Sequence, residues 1–446
     1  MKAVLRHLAY LLFSILPIFI FSQTYELPQG ELFQKVKFKL VNNLIVLPVE
    51  VNGANLSFIL DSGVSKPILF NLSDKDSIQI NDVSEIVIKG LGDGGPIKAL
   101  SSYNNTFRIG NAENPGQLLY VVMDRDINLS PRLGLPVHGI IGYDLFRDFV
   151  VEINYTSQYL KLHKPDTYQT KKNNRTKTVA LQVVDNKAYV QGQVFLENKQ
   201  CIPVKLLVDS GSSDAVWLFE DEAIGLGVPK KNYYEFLGQG LGGGIYGKRT
   251  RLAGVGLAGF RMKDTRAAFP DKQYFNTITS FGDRNGSLGG ELLKRFTLVF
   301  NYTEGTLSLR KNRFFKNPFN FNMSGIDLQH NGVRYISESI ADGRGSLVND
   351  ESKSFGNVQL LFENRTRLSV VPQIVVSGIR NGSPAQEAGL QQGDIILAVN
   401  GKKVHHFKLQ QVLKMLNEKI GKRVKVLVAR NESNLLISYV LKDVFK

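Results

Sequence analysis

Cysteine and histidine are scarce in this chain of 446 residues, which has one cysteine, Cys201, and six histidines. One cysteine excludes an intramolecular disulfide framework and any cysteine-rich zinc site. The histidines form no HExxH pattern, and the adjacent pair His405-His406 has no carboxylate–histidine spacing beside it. Neither a metal site nor a cofactor is therefore expected. Beyond the first segment there is no run of 18 apolar residues to suggest a membrane span. Blocks of one charge are missing too. The net charge of +15 is scattered, with only short clusters such as Lys171-Lys172 and Lys230-Lys231. That pattern reads as a solvated basic surface and points to no nucleic-acid partner. With 43% hydrophobic and 21% charged residues the composition is globular, and the length allows two to four domains.

Residues 1–22 stand apart. Lys2, Arg6 and His7 precede an apolar run from Leu8 to Phe21, and Ser22-Gln23 offers a small residue for cleavage. This is the pattern of a secretory signal peptide. The expectation is an exported protein, periplasmic or secreted, with no integral membrane segment after cleavage; an uncleaved anchor is the alternative.

What the chain does contain is a repeat. Phe58-Ile59-Leu60-Asp61-Ser62-Gly63 recurs as Leu206-Leu207-Val208-Asp209-Ser210-Gly211, at an offset of 148. Gly90, Gly92 and Gly95 recur at the same offset as Gly238, Gly240 and Gly243. At an offset of 147, Ile140-Ile141-Gly142 is answered by Ser287-Leu288-Gly289, and Asn154-Tyr155-Thr156 by Asn301-Tyr302-Thr303. Matched features in one order mean two copies of one lobe.

Each lobe reads as mainly β. Leu44–Val51 and Ala54–Leu60 flank Asn52-Gly53, a hairpin signal, and the second strand delivers Asp61 at its end. Ala188–Leu196 and Cys201–Val208 deliver Asp209 likewise, around a turn at Glu197-Asn198. Short helices are expected at Tyr143–Phe149 and Glu291–Phe296. Trp217 and Cys201 are read as core residues.

Two such lobes facing one another would bring Asp61 and Asp209 together. Carboxyl groups about 3 Å apart cannot both ionise, so they share one proton. The ionised member can deprotonate a water while the protonated one polarises a carbonyl. The hydroxyls of Ser62 and Ser210 can fix the loops, and Gly63 and Gly211 permit close backbone approach. A turn-capping role remains the alternative for either aspartate. The glycine triplets match G-x-G-x-x-G, but neither opens a helix within a βαβ unit, which argues against nucleotide binding. They are read as tips of two flaps, with plain structural turns as the alternative.

At these residues the chain resembles the retropepsin-like and pepsin-like aspartic peptidases over about residues 31–311. The resemblance implies two β-barrel lobes, 31–164 and 165–311, related by a pseudo-twofold axis. It also implies an endopeptidase whose Asp61/Asp209 dyad activates water against peptide or unfolded-protein substrates. An inactive, peptide-binding relative is the competing reading.

After a Phe/Asn/Lys-rich boundary from Lys311 to Asn322, Asn381-Gly382-Ser383-Pro384-Ala385 leads to Ala388-Gly389-Leu390, Gly393-Asp394-Ile395-Ile396 and Val399-Asn400-Gly401. Ser383 and Pro384 can start a short helix and Gly389 can end it. Val412, Leu413, Leu416 and Ile420 give a further helix one apolar face. Residues 323–446 resemble the PDZ domains of exported bacterial proteases, an α+β fold. That resemblance implies an extended, C-terminal peptide ligand, with Ser324-Gly325-Ile326 as the carboxylate-binding loop. A docking module without a ligand is the alternative.

Overall fold

Asn52 and Gly53 take φ of 48° and 86°, as a tight two-residue hairpin turn requires, and join strand Leu44–Val51 to strand Ala54–Leu60. The computed structural model containing this hairpin describes residues 23–72, 77–124, 127–170, 173–197, 200–275, 283–341, 346–349, 358–361 and 364–445. The expected signal peptide and Asn198 lie outside the described residues.

The hairpin seeds an eight-stranded sheet. In hydrogen-bonded order its strands are Lys39–Val41, Leu44–Val51, Ala54–Leu60, Gly139–Ile141, Ile68–Leu69, Ala112–Val122, Ile97–Ile109 and Val83–Ile88. A second sheet follows the same path through Gln182–Val184, Lys187–Phe195, Cys201–Val208, Gly286–Leu288, Val216–Leu218, Phe260–Pro270, Gly243–Leu257 and Asn232–Gly240. In each sheet the second strand also pairs with the seventh, which curls it towards a barrel. The repeat is thus a repeat of topology.

A third sheet joins the two lobes and reveals their symmetry. Its order is Phe33–Lys37, Tyr159–His163, Val150–Asn154, Phe296–Asn301, Thr306–Lys311 and Thr176–Ala180, three strands from each lobe. At its centre Glu152 pairs antiparallel with Val299, its own counterpart in the repeat. Val151 pairs with Phe300, the counterpart of Ile153, and Ile153 pairs with Leu298, the counterpart of Val151. Such reciprocal pairing is what a twofold axis through that point produces. One continuous apolar core underlies all three sheets, from Ile45 and Phe58 through Phe146, Val208 and Leu292 to Phe300.

The short helices form at Tyr143–Asp148 and Gly290–Leu293. The reading of Cys201 as a core residue needs correction. Cys201 is exposed, because it opens its strand at a position facing solvent. The expected boundary stretch, Lys311 to Asn322, contains the division between the two compact units, and its residues up to Phe319 belong with the second lobe. Arg295, only 1% exposed, donates from Nη1 to the Asn317 carbonyl at 2.5 Å, and its guanidinium lies 3.6 Å from the Phe319 ring centre. A buried guanidinium must fill its donors, and these carbonyls do so.

By contacts the chain forms two compact units. The first comprises the described residues up to Asn128 with Val137–Asn232 and Phe236–Phe319; the second comprises Leu129–Pro136, Tyr233–Glu235 and Asn320–Lys446. The second has a sheet in the order Ile326–Ala341, Asn364–Ile379, Ile395–Val399, Arg423–Arg430 and Ser433–Val440. Ser383 caps helix Pro384–Glu387 by accepting from the Gln386 amide, and Leu409, Val412 and Leu416 of helix Leu409–Leu416 fill the core. Ile420 does not join that face. The helix stops at Leu416, where the Asn417 side chain turns back to the Leu413 carbonyl, and Ile420 stays exposed.

Candidate active site

The two Asp-Ser-Gly loops meet at the symmetry axis and lock each other by exchange. The Ser62 amide donates to Ser210 Oγ at 3.0 Å, and the Ser210 amide donates to Ser62 Oγ at 3.1 Å. Each hydroxyl then donates across the axis, Ser62 Oγ to the Val208 carbonyl at 2.6 Å and Ser210 Oγ to the Leu60 carbonyl at 2.8 Å. Both serines are buried, so every one of these groups depends on its partner in the other lobe.

This lock sets the aspartates side by side. Within each loop the glycine amide donates to the aspartate, Gly63 to Asp61 Oδ1 at 2.7 Å and Gly211 to Asp209 Oδ1 at 3.1 Å. The two carboxyl groups act directly on each other, the Asp209 charge raising Asp61. A Cβ on Gly211 would stand 2.3 Å from Asp61 Oδ2, so glycine there is a condition of the approach. Behind the loops, the Asp61 amide donates to Ile141 and the Asp209 amide to Leu288. A Cβ on Gly142 would come within 1.8 Å of the Asp61 carbonyl oxygen, which explains the glycine that ends the first of these crossing segments. Ser287, polar where its counterpart is Ile140, leaves the crossing intact, paired with both Leu207 and Trp217.

Burial, then the neighbouring Asp209 charge, push Asp61 up to about 7. Burial raises Asp209 as well, but the Arg284 guanidinium and the Ser212 and Gly211 amides pull against it. Both carboxyls are thus raised, and two such neighbours titrate as a pair that shares a proton. Lys187, whose own ammonium is disfavoured by burial and by Arg284, also feels both carboxylates. Neither Arg284 nor Lys187 is prominent in the sequence, since neither lies in the repeated motifs.

The flap tips meet each other. The Gly94 amide donates to the Gly242 carbonyl at 2.5 Å, and the Gly242 amide donates to the Leu91 carbonyl at 3.0 Å. Gly90, Gly92, Gly240 and Gly243 stand where a Cβ would strike the opposite tip, whereas Gly95 and Gly238 face open space. The contact is centred on Gly94 and Gly242, a counterpart pair outside the sequence triplets. Beside it lies a small apolar cluster of Leu237, Ile245, Ala268 and Tyr274, against which Leu91 of the first flap and Trp217 and Phe275 pack.

In the second unit the expected carboxylate loop is already occupied. The Ser324 amide donates to Asn417 Oδ1, the Gly325 amide to Asn322 Oδ1 and the Ile326 amide to Ser324 Oγ. All three residues are buried. This corrects the reading of Ser324-Gly325-Ile326, because the side chains of Asn417, Asn322 and Ser324 take every amide of the triplet. The argument against a metal at His405-His406 also changes, since Glu338 reaches both rings from a distant strand.

Two family models match segments of the chain. Residues 47–145 match the family model described as aspartyl protease, and residues 375–430 match the model described as PDZ domain. A solved structure, the aspartic proteinase from Irpex lacteus, is similar over 64% of this chain and 99% of its own, at 13% identity and a TM-score of 0.40. Residues 47–145 are therefore similar to an aspartyl protease domain, and residues 375–430 to a PDZ domain.

Proposed function

We propose that this protein is an aspartic endopeptidase that cuts extended peptides or unfolded proteins with an Asp61/Asp209 dyad. The observation that carries the reading is the pair of half-buried, interacting carboxyls held by the serine exchange, with Asp61 pushed up to about 7 by burial and by Asp209. A water between them loses a proton to ionised Asp209 as its oxygen bonds to the scissile carbonyl carbon. Asp61 gives its proton to the carbonyl oxygen, so the tetrahedral intermediate forms uncharged. Collapse of that intermediate breaks the C–N bond as Asp209 passes its proton to the leaving nitrogen and Asp61 takes one back from a hydroxyl of the intermediate, which restores the dyad. Substrate entry parts the flap tips, and their reclosure excludes water. The apolar cluster beside the tips favours a hydrophobic substrate side chain. The PDZ domain serves peptide or partner recognition by strand addition. Export through residues 1–22 belongs to the same proposal, and N-terminal sequencing of the exported protein tests it, a retained Met1 being the contrary result.

The test is hydrolysis of a denatured protein from acidic to neutral pH by the wild type, Asp61→Asn and Asp209→Asn. Cleavage by the wild type, lost in both folded variants, is expected. An unreactive wild type that retains peptides regardless of the aspartates would favour a binding protein instead.

A further inference from the structure

The second unit holds three metal-binding side chains on one point. Alternate residues of strand Ile326–Ala341 share a face, which puts Glu338 on the side of Arg334 and Ile336. Glu338 Oε1 lies 3.0 Å from His405 Nε2 and 3.4 Å from His406 Nε2. Two ligands of a tetrahedral zinc ion, each about 2.0–2.1 Å from it, stand roughly 3.3 Å apart. All three donor atoms lie within 4.8 Å of one another, so little movement would close them on an ion.

The surroundings suit such an ion. His405 has only 5% of its side chain exposed, and its Nδ1 has no hydrogen-bond partner among the described residues. Nε2 donates to the Glu338 carboxylate in this structure, so an ion entering there would take the place of that proton, which can move to the unpartnered Nδ1. Glu338 and His405 line a cavity of about 280 Å³ with Leu397, Lys403 and Leu427. Two imidazoles and one carboxylate form a donor set for zinc-like transition ions, unlike the all-oxygen shells of calcium or magnesium.

We propose that Glu338, His405 and His406 bind one divalent ion of the zinc class, with a fourth position open to water or a ligand atom. The ion would tie strand Ile326–Ala341 to the turn Val404–His406 and stabilise the PDZ domain by mass action. The site is independent of the aspartate dyad.

The test is titration of the full-length, EDTA-stripped protein with zinc chloride, followed by calorimetry and thermal unfolding. One bound equivalent and a raised unfolding midpoint are expected. Even outer-shell substitutions weaken metal sites about 10–100-fold, so Glu338→Gln and His406→Ala should each weaken binding by at least tenfold. Half of the His406 side chain is exposed, so His406→Ala should unfold in EDTA at the wild-type temperature. No zinc uptake, unchanged uptake in either variant, or equal uptake of magnesium would overturn the proposal.

Discussion

The two lobes share one strand path yet anchor their aspartate loops with different charges. In the first, the Asp144 carboxylate takes Arg147 at 3.1 Å, Lys66 at 3.4 Å and the Gln117 amide at 2.8 Å. In the second, the counterparts of Lys66 and Asp144 are Asp214 and Glu291, both acidic. Arg266 stands between them, 3.1 Å from Asp214 and 2.7 Å from Glu291, while Arg249 and the Trp217 indole also bind Asp214. Burial alone would raise Asp214, but Arg249 and Arg266 outweigh it and hold the carboxyl below its usual range. Backbone hydrogen bonds preserve the geometry of the duplication, and side chains are free to neutralise it differently. The asymmetry extends to the dyad, where the Arg284 charge pulls Asp209 down.

That contrast can be broken experimentally. Asp61→Asn and Asp209→Asn should lower hydrolysis equally, by about 10²–10⁴-fold or more, since each removes one half of the acid–base pair. Both should raise the unfolding midpoint at pH 7. Between the ordinary value of 3.8 and about 7, folded Asp61 keeps a proton that the unfolded chain has released. Its contribution to stability therefore falls as pH rises through that window, and the amide removes the penalty.

The lobes should then diverge. Asp214→Ala takes the shared carboxylate from buried Arg249 and from Arg266 and should cost about 3–5 kcal/mol in chemical denaturation, as loss of one partner from a buried ion pair does. Lys66→Met, at the matching position, should cost about 1 kcal/mol or less, because Lys66 is partly solvated. Ser62→Ala and Ser210→Ala test the symmetric part. Each leaves a buried amide and carbonyl without partners, so the two should cost the same, about 1–3 kcal/mol. The smallest effect is a shift in profile. Arg284→Gln should move the acidic limb of the pH–rate curve upwards, towards its alkaline limb, by removing the cation that lowers Asp209.

Much of this was legible in the sequence where local chemistry decides structure. The Asn52-Gly53 hairpin falls at the expected residues because the turn demands positive φ, and Ser383-Pro384 starts its helix because cap and ring suit it. The aspartate loops were legible because the same motif occurs twice. What could not be read depends on residues distant in sequence. Arg284 has no motif, and Glu338 joins His405 only through folding. The carboxylate-loop amides are taken by Asn322 and Asn417, one of them 93 residues away from Ser324. Arg295 draws in Phe319 because a buried guanidinium needs acceptors, and no local periodicity signals that demand.

The central claim is a shared proton, and carboxyl-carbon NMR titration of wild type and Asp209→Asn reads it directly. The account predicts that Asp61 titrates near pH 7 in the wild type and moves down when the Asp209 charge is removed. An Asp61 signal near pH 4 that ignores the substitution would contradict it.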